Sequence, residues 1–131
     1  MLKKKASGNP DIIFTGFISG DVLCEIYSNA YVVALPSDIE GMSLSLLEAF
    51  SYGNAVLCSD IPENTLVTEN KAMLFRKSNV KDLAEKLQSM CDDEEIVNEL
   101  KNGADEFILS KYNWNDVANV TFDLYNKVLK K

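Results

Sequence analysis

The sequence contains no histidine and only three cysteines, so it has few of the residues that metal sites and acid–base catalysts most often use. Cys24, Cys58 and Cys91 lie far apart, and no two of them form a Cys-x-x-Cys pair. A zinc site is therefore not expected, and we predict no metal cofactor. An odd number of widely spaced thiols is typical of a protein from a reducing cytoplasm, which is the expected location.

Three further absences exclude whole classes of protein. No apolar run approaches the roughly 18 residues that a membrane-spanning helix needs. The net charge of -7 is unfavourable for binding a nucleic-acid backbone, so we expect no nucleic-acid partner. No Gly-x-Gly-x-x-Gly turn occurs, which argues against a dinucleotide-binding domain.

The chain has 131 residues, of which 47% are hydrophobic and 25% charged, as in one ordinary globular domain. Three consecutive lysines near the start are followed by the breakers Gly8-Asn9-Pro10. We interpret residues 1–9 as a linker or the residual helix of a longer parent chain, and residues 10–131 as the domain.

Short apolar runs alternate with helical patterns along the domain. Strands are predicted at residues 12–15, 31–35, 55–58 and 72–75. Helices are predicted at residues 21–29, 42–52 and 78–90, and three more are predicted to begin at Pro62, at the acidic run 92–95 (continuing to Ile108) and after Asn113. This alternation predicts an α/β fold, a Rossmann-like parallel sheet flanked by helices, with ligands at the carboxyl ends of the strands. Trp114 is expected to anchor the last helix to the domain.

The segment around residues 36–53 carries the most chemical information. The apolar strand stops at Pro36-Ser37, an acidic loop with Glu40 and Gly41 follows, and a helix runs on towards Gly53. On that helix the only polar strip is Ser45, Glu48 and Ser51, at spacings of three. Glu48 either faces a polar cleft or is a carboxylate stabilised by the helix dipole, and the residues alone leave both readings open.

The residue pattern of this segment resembles the motif of a known family. Pro36-Ser37-x-x-Glu40-Gly41, then Leu47-Glu48-Ala49 and Gly53, is similar to the nucleotide-sugar-binding motif of family 4 retaining glycosyltransferases, which have two Rossmann-like domains in the GT-B arrangement. The mark of that family is two glutamates with seven residues between them, the spacing of Glu40 and Glu48. The resemblance extends from about Asn9 to Lys130.

The resemblance implies a donor site without a metal, for a nucleotide-sugar such as a UDP- or GDP-sugar. It implies that Glu40 is catalytic and meets the hydroxyls of the donor sugar, and that Glu48 accepts hydrogen bonds from the ribose. The remaining donor-binding residues would be Gly41, Met42 and Ser43 at the phosphates and Gly16 and Phe17 beside the base. Glu63, in the next loop, is open to two readings: a place near the donor, or a favourable charge at a helix start.

Two departures from the family pattern qualify these expectations. Met42-Ser43 stand where the family usually has Phe-Gly, and nothing after Lys5 matches the basic pair that usually neutralises the diphosphate. We therefore expect a partial, truncated donor-binding domain, the carboxyl-terminal half of an enzyme, inactive by itself. The acceptor, a glycan or a lipid, would bind the other domain, with peripheral contact at the inner face of the membrane in the full enzyme.

Two other functional classes remain as alternatives. One is a non-catalytic nucleotide-binding or interaction module of the same fold. The other is an unrelated doubly wound domain such as a receiver, which needs acids at the end of its first strand. The predicted first strand ends instead in Thr15-Gly16-Phe17, which disfavours a receiver.

Overall fold

A computed structural model describes residues 2–129, which form a three-stranded parallel sheet with helices on both faces. The Rossmann-like α/β architecture expected from the sequence is confirmed. The elements in chain order are α1 (Leu2–Lys5), α2 (Asp21–Ser28), β1 (Val32–Leu35), α3 (Leu44–Ser51), β2 (Ala55–Ser59), α4 (Pro62–Thr68), β3 (Met73–Phe75), α5 (Val80–Asp92), α6 (Glu94–Lys101), α7 (Ala104–Leu109) and α8 (Trp114–Leu129).

The central strand β2 organises the sheet. It pairs in parallel with β1 on one side, in the register Val33 to Val56, and with β3 on the other, in the register Cys58 to Leu74. All five of its residues are buried, as expected for a parallel strand covered on both faces. Because the three strands run in the same direction, the loops that follow them meet at one edge of the sheet.

Alternate residues of β2 support two separate cores. Val56 and Cys58 face a cluster that contains Leu46, Ala49 and Phe50 of α3 together with residues of α4 and α7. Ala55 and Leu57 face the other cluster, which contains Met90 of α5 and Val97 of α6. This two-sided packing follows from the period of two along a strand and covers both faces of β2.

The end of α3 fixes how that helix enters β2. Gly53 has a φ of 69°, a left-handed conformation that glycine adopts without steric cost. Its N–H donates to the Phe50 carbonyl at 2.8 Å, and the Asn54 N–H donates to the Ala49 carbonyl at 3.2 Å. These two bonds form a Schellman cap, which satisfies the last carbonyls of α3 and turns the chain directly into β2.

The predicted strand at residues 12–15 is wrong. This segment has no regular secondary structure, and Ile13 is 79% exposed. A strand is stable only when a neighbouring strand accepts and donates its backbone hydrogen bonds, and residues 12–15 pair with no strand of the described chain. An apolar run predicts the tendency to form a strand but does not supply that partner.

Three helix boundaries also differ from the prediction. The helix expected at residues 42–52 begins at Leu44, after the N-cap Ser43. The helix expected from Ser78 begins at Val80, because Asn79 is the cap and its side chain accepts a hydrogen bond from the Asp82 N–H at 3.0 Å. The helix expected to run to Ile108 is broken into α6 and α7 at Gly103, whose φ is 67°.

The last helix forms as predicted but does not pack as predicted. Asn113 accepts a hydrogen bond from the Asp116 N–H at 2.9 Å, which confirms the cap. Trp114 is nevertheless 83% exposed, and α8 contains no buried residue, so the anchoring role proposed for Trp114 is wrong. The cap is a local interaction, whereas anchoring needs an apolar surface that α8 does not contact in this structure.

Within residues 2–129, no helix combines the length and apolar character required to cross a membrane. The predicted boundary between a linker or residual helix at residues 1–9 and the domain at residues 10–131 stays a prediction.

The environment of the thiols leads to a testable difference in reactivity. Cys58 is buried in β2, and burial raises its pKa to about 12, whereas Cys24 and Cys91 are exposed. Since the thiolate is the reactive species, Cys58 should resist alkylation in the folded protein. We expect iodoacetamide at about pH 8 to label Cys24 and Cys91 only, and a denaturant to open the third site. Intact-mass and peptide mass spectrometry would count the labels; equally fast labelling of Cys58 would contradict the buried strand.

The loop between β3 and α5 leads to a prediction about pH. The backbone N–H of Arg76 donates a hydrogen bond of 2.6 Å to the Asp82 carboxylate, and the Arg76 guanidinium lies 3.5 Å from the same carboxylate. These contacts hold the pKa of Asp82 below its ordinary value. A lowered carboxyl pKa stabilises the fold while the group is charged, and the gain disappears as the pH falls through the folded-state pKa. Asp82→Asn should therefore lower stability at about pH 7 and match the wild type more closely near pH 3.

Urea unfolding of the two proteins at several pH values would measure this difference. Glu99→Gln is the control, because Glu99 is an exposed carboxylate on α6. A deficit of Asp82→Asn that stays the same at low pH would contradict the role given to the carboxylate charge.

Candidate functional site

A cavity of about 450 Å³ opens at the carboxyl end of β1. Its lining comes from β1, from the loop between β1 and α3, from the first turn of α3, and from Tyr27 of α2. This is the edge of the sheet at which the sequence predicts a ligand. The predicted residues Glu40, Met42 and Ser43 all line the cavity, and Gly41 lies between them in the same loop.

Glu40 is held in a defined position at this cavity. Its side chain is half-buried, and its Oε1 accepts a hydrogen bond of 2.6 Å from the Ser37 hydroxyl. The serine thus occupies one carboxylate oxygen. Oε2 is left to accept hydrogen bonds from a ligand, because an ionised carboxylate has two oxygens and only accepts.

Three consecutive backbone N–H groups follow Glu40. No residue in the range 2–129 accepts a hydrogen bond from the N–H of Gly41, Met42 or Ser43. Ser43 is the N-cap of α3, and its side chain makes no capping hydrogen bond. The positive end of the helix dipole also lies here, so the arrangement can bind an anion.

Glu48 lies beside the cavity rather than in its wall. It is exposed on α3, on the same side of the helix as the exposed Ser45 and Ser51, so the polar strip read from the sequence is confirmed. The rings of Tyr27 and Tyr52 stack next to it with centroids 5.5 Å apart. Burial raises the pKa of Tyr27, and the negative charge of Glu48 raises it further. Because Tyr27 lines the cavity, Glu48 lies near the edge of the cavity.

The other predicted positions are not brought into the cavity wall. Gly16 has a φ of 70°, and Phe17 is 94% exposed, so the ring has no protein surface to pack on. Glu63 lies in the first turn of α4 after Pro62, a favourable place for an acid at a helix start.

Sequence reasoning missed Tyr27 and Ser37 as parts of the site. Tyr27 belongs to the apolar positions of α2, and nothing in the spacing shows that this helix would bring its ring to the end of β1. Ser37 could have been found, because a serine three residues before a loop glutamate can reach its carboxylate.

Charge within the cavity is negative. Its lining includes Glu40 but no lysine or arginine in the part of the chain that the structure describes. A phosphate placed here would therefore be held by backbone N–H groups and the helix dipole rather than by a cationic side chain of the lining.

The sequence profile of the family described as "Glycosyl transferases group 1" matches residues 2–107. The chain belongs to this family. Among curated relatives, this glycosyltransferase domain is 32% identical over 111 residues to the N,N'-diacetylbacillosaminyl-diphospho-undecaprenol alpha-1,3-N-acetylgalactosaminyltransferase of Campylobacter jejuni, covering 82% of the chain and 29% of that enzyme. The chain spans between 14% and 30% of the length of the first curated relatives it matches.

Solved structures agree with the fold. The sucrose-phosphate synthase of Thermosynechococcus elongatus superimposes with a TM-score of 0.84 at 24% identity, over 98% of this chain and 33% of that one. The C-terminal domain of the group 1 glycosyl transferase LpcC from Francisella tularensis superimposes with a TM-score of 0.70 at 25% identity, over 86% of this chain and 60% of that one. The expected likeness to a C-terminal domain of a GT-B glycosyltransferase is thus confirmed.

Proposed function

We propose that this domain binds the nucleotide-sugar donor of a retaining glycosyltransferase, with the loop at residues 37–43 as the donor site. One observation carries the proposal: a positioned carboxylate and three backbone N–H groups with no acceptor among residues 2–129 lie at the same end of the sheet. A sugar diphosphate needs both, since its phosphates accept hydrogen bonds and its sugar hydroxyls can donate them.

The proposed roles follow from chemistry and position. The N–H groups of Gly41, Met42 and Ser43 bind the diphosphate and, as it departs, stabilise its growing charge. Glu40 accepts hydrogen bonds from the donor sugar through the oxygen that Ser37 leaves free. This orients the anomeric carbon towards the acceptor, and the donor site that we propose uses no metal.

Glu48 would bind the ribose. Its carboxylate is exposed beside the cavity, one helical turn beyond Ser45 in the lining, where it can accept hydrogen bonds from two neighbouring hydroxyls. Gly16 and Phe17 would meet the base, and the exposed Phe17 ring offers an aromatic face on which a base can stack.

The rest of the reaction would require polypeptide beyond this chain. Among residues 2–129, the cavity lining contains no cation to neutralise a diphosphate, so we assign the neutralising charge and the acceptor site to the additional length that the relatives have. The acceptor would be a glycan or a lipid-linked glycan; the name of the Campylobacter relative specifies a diphospho-undecaprenol acceptor. Sugar transfer at the cytoplasmic face of a membrane would fit such an acceptor. It would also fit the three free cysteines, because thiols stay reduced in the cytoplasm.

A nucleotide screen tests the proposed donor site. We expect one of UDP, GDP or ADP, or its sugar conjugate, to raise the melting temperature. At ten times its dissociation constant the ligand should stabilise the fold by about 1.4 kcal/mol, or roughly 5 °C for a domain of this size. Differential scanning fluorimetry with inorganic phosphate as the control would measure it. No stabilisation by any nucleotide up to millimolar concentration, in a folded protein, would contradict the proposal.

Glu48→Ala tests the ribose contact. Loss of hydrogen bonds to a charged acceptor should cost about 1.5–3 kcal/mol, which weakens nucleotide binding about tenfold or more. Titration calorimetry with the nucleotide found in the screen would measure the change. The matched control is Glu99→Ala, which removes an exposed helical glutamate of α6 and should leave affinity unchanged. Unchanged affinity of Glu48→Ala would remove this residue from the site.

The alternative of a non-catalytic module predicts the same binding. An assay distinguishes the two when this domain is joined to the additional length that its relatives have, because only a transferase then consumes the nucleotide-sugar.

A further inference from the structure

Three polar residues from three different parts of the fold are linked by hydrogen bonds behind Glu40, and one of these links passes through the backbone carbonyl of Ser37. They are Asn64 in α4, Ser59 at the end of β2, and Ser37 in the loop after β1. Asn64 and Ser59 are each 1% exposed, although neither was singled out by the sequence. Buried polar groups of this kind are stable only when they are hydrogen-bonded to one another, so the series forms one connected unit.

The direction of each hydrogen bond is fixed by the numbers of donors and acceptors. The Asn64 amide nitrogen donates to the Ser59 carbonyl oxygen and to the Ser59 hydroxyl oxygen, both at 3.1 Å. The Ser59 hydroxyl has a single proton, and it donates this proton to the Ser37 carbonyl oxygen. The Ser37 hydroxyl then donates to Glu40 at 2.6 Å.

The series matters because the loop around Glu40 has few other attachments. Within residues 2–129, no backbone-to-backbone hydrogen bond ties residues 37–42 to the rest of the protein. The loop is held instead by the bond from the buried Ser59 hydroxyl and by a bond of 2.7 Å from the Ser78 hydroxyl to the Asp38 carboxylate. The Ser78 bond is exposed to water, which competes for both of its partners, whereas the Ser59 bond is part-buried, so the Ser59 bond contributes more to the position of the loop.

We propose that Asn64 is a positioning residue for Glu40, acting through the Ser59 hydroxyl and the Ser37 backbone. The orientation of Glu40 thus depends on a side chain in α4 that does not line the cavity. The functional meaning of this inference rests on the proposed donor site, but the coupling itself can be measured without any ligand.

The test is an NMR comparison of ligand-free variants. Ser37→Ala removes the donor to Glu40 and should displace the side-chain carboxyl carbon resonance of Glu40 at neutral pH. Asn64→Ala should displace it in the same direction and lower the backbone NMR order parameters of Gly41 and Ser43 below about 0.6, which reports a looser loop. General destabilisation would not by itself move the Glu40 resonance of the folded state.

Thr65→Ala is the matched control, since Thr65 neighbours Asn64 in α4 and its hydroxyl donates only to the Pro62 carbonyl of the same helix. It should leave the Glu40 resonance and the order parameters of the loop unchanged. Ser37→Thr keeps a hydroxyl at the same position and should restore the wild-type resonance. If Asn64→Ala does not fold, Ser59→Ala removes the middle of the series and should give the same displacement.

The double variant Ser37→Ala/Asn64→Ala decides whether the residues act as one unit. If they do, the double variant should displace the Glu40 resonance no further than Ser37→Ala alone. An unmoved resonance in folded Asn64→Ala or Ser59→Ala, or additive effects in the double variant, would overturn the proposal. Failure of the nucleotide screen would instead count against the donor site and leave this coupling standing.

Discussion

The burial of β2 on both faces is the constraint on which the rest of the structure depends. Its five residues separate two cores, so α3, α4 and α7 must lie on one side and α5 and α6 on the other. Both neighbouring strands run parallel to it. The loops that follow the strands are therefore gathered at one edge, and all the polar groups of the candidate site lie in or beside the first of these loops.

Hydrogen bonds between these loops set the shape of that edge. The Ser59 hydroxyl reaches the loop after β1, the Asp60 carboxylate accepts from the Lys77 N–H at 2.7 Å, and Ser78 reaches Asp38. Side-chain hydrogen bonds thus connect these neighbouring loops, as backbone hydrogen bonds connect the strands of the sheet. The N–H groups of Gly41, Met42 and Ser43 have no acceptor in the described part of the chain, which leaves them free to bind an anion at the start of α3.

Much of the exposed apolar surface lies in the segment at residues 12–17 and along α8. Ile13, Phe17 and Trp114 each expose more than three quarters of their surface. These are also the regions where the sequence predicted more tertiary structure than the described residues contain. The apolar patterns are present, but the surfaces against which they would pack are not among residues 2–129.

The sequence alone determined the three strands β1 to β3 and their alternation with helices, the cap of the last helix by Asn113, and the loop that carries Glu40. These depend on local signals: hydrophobic period, turn residues and side chains that reach backbone three residues away. Only the tertiary structure decided that residues 12–15 form no strand, that Trp114 is exposed and that Tyr27 lines the cavity. Only the tertiary structure shows that hydrogen bonds connect Asn64 to Glu40. These bonds join three parts of the fold, and no local sequence pattern predicts which elements become neighbours.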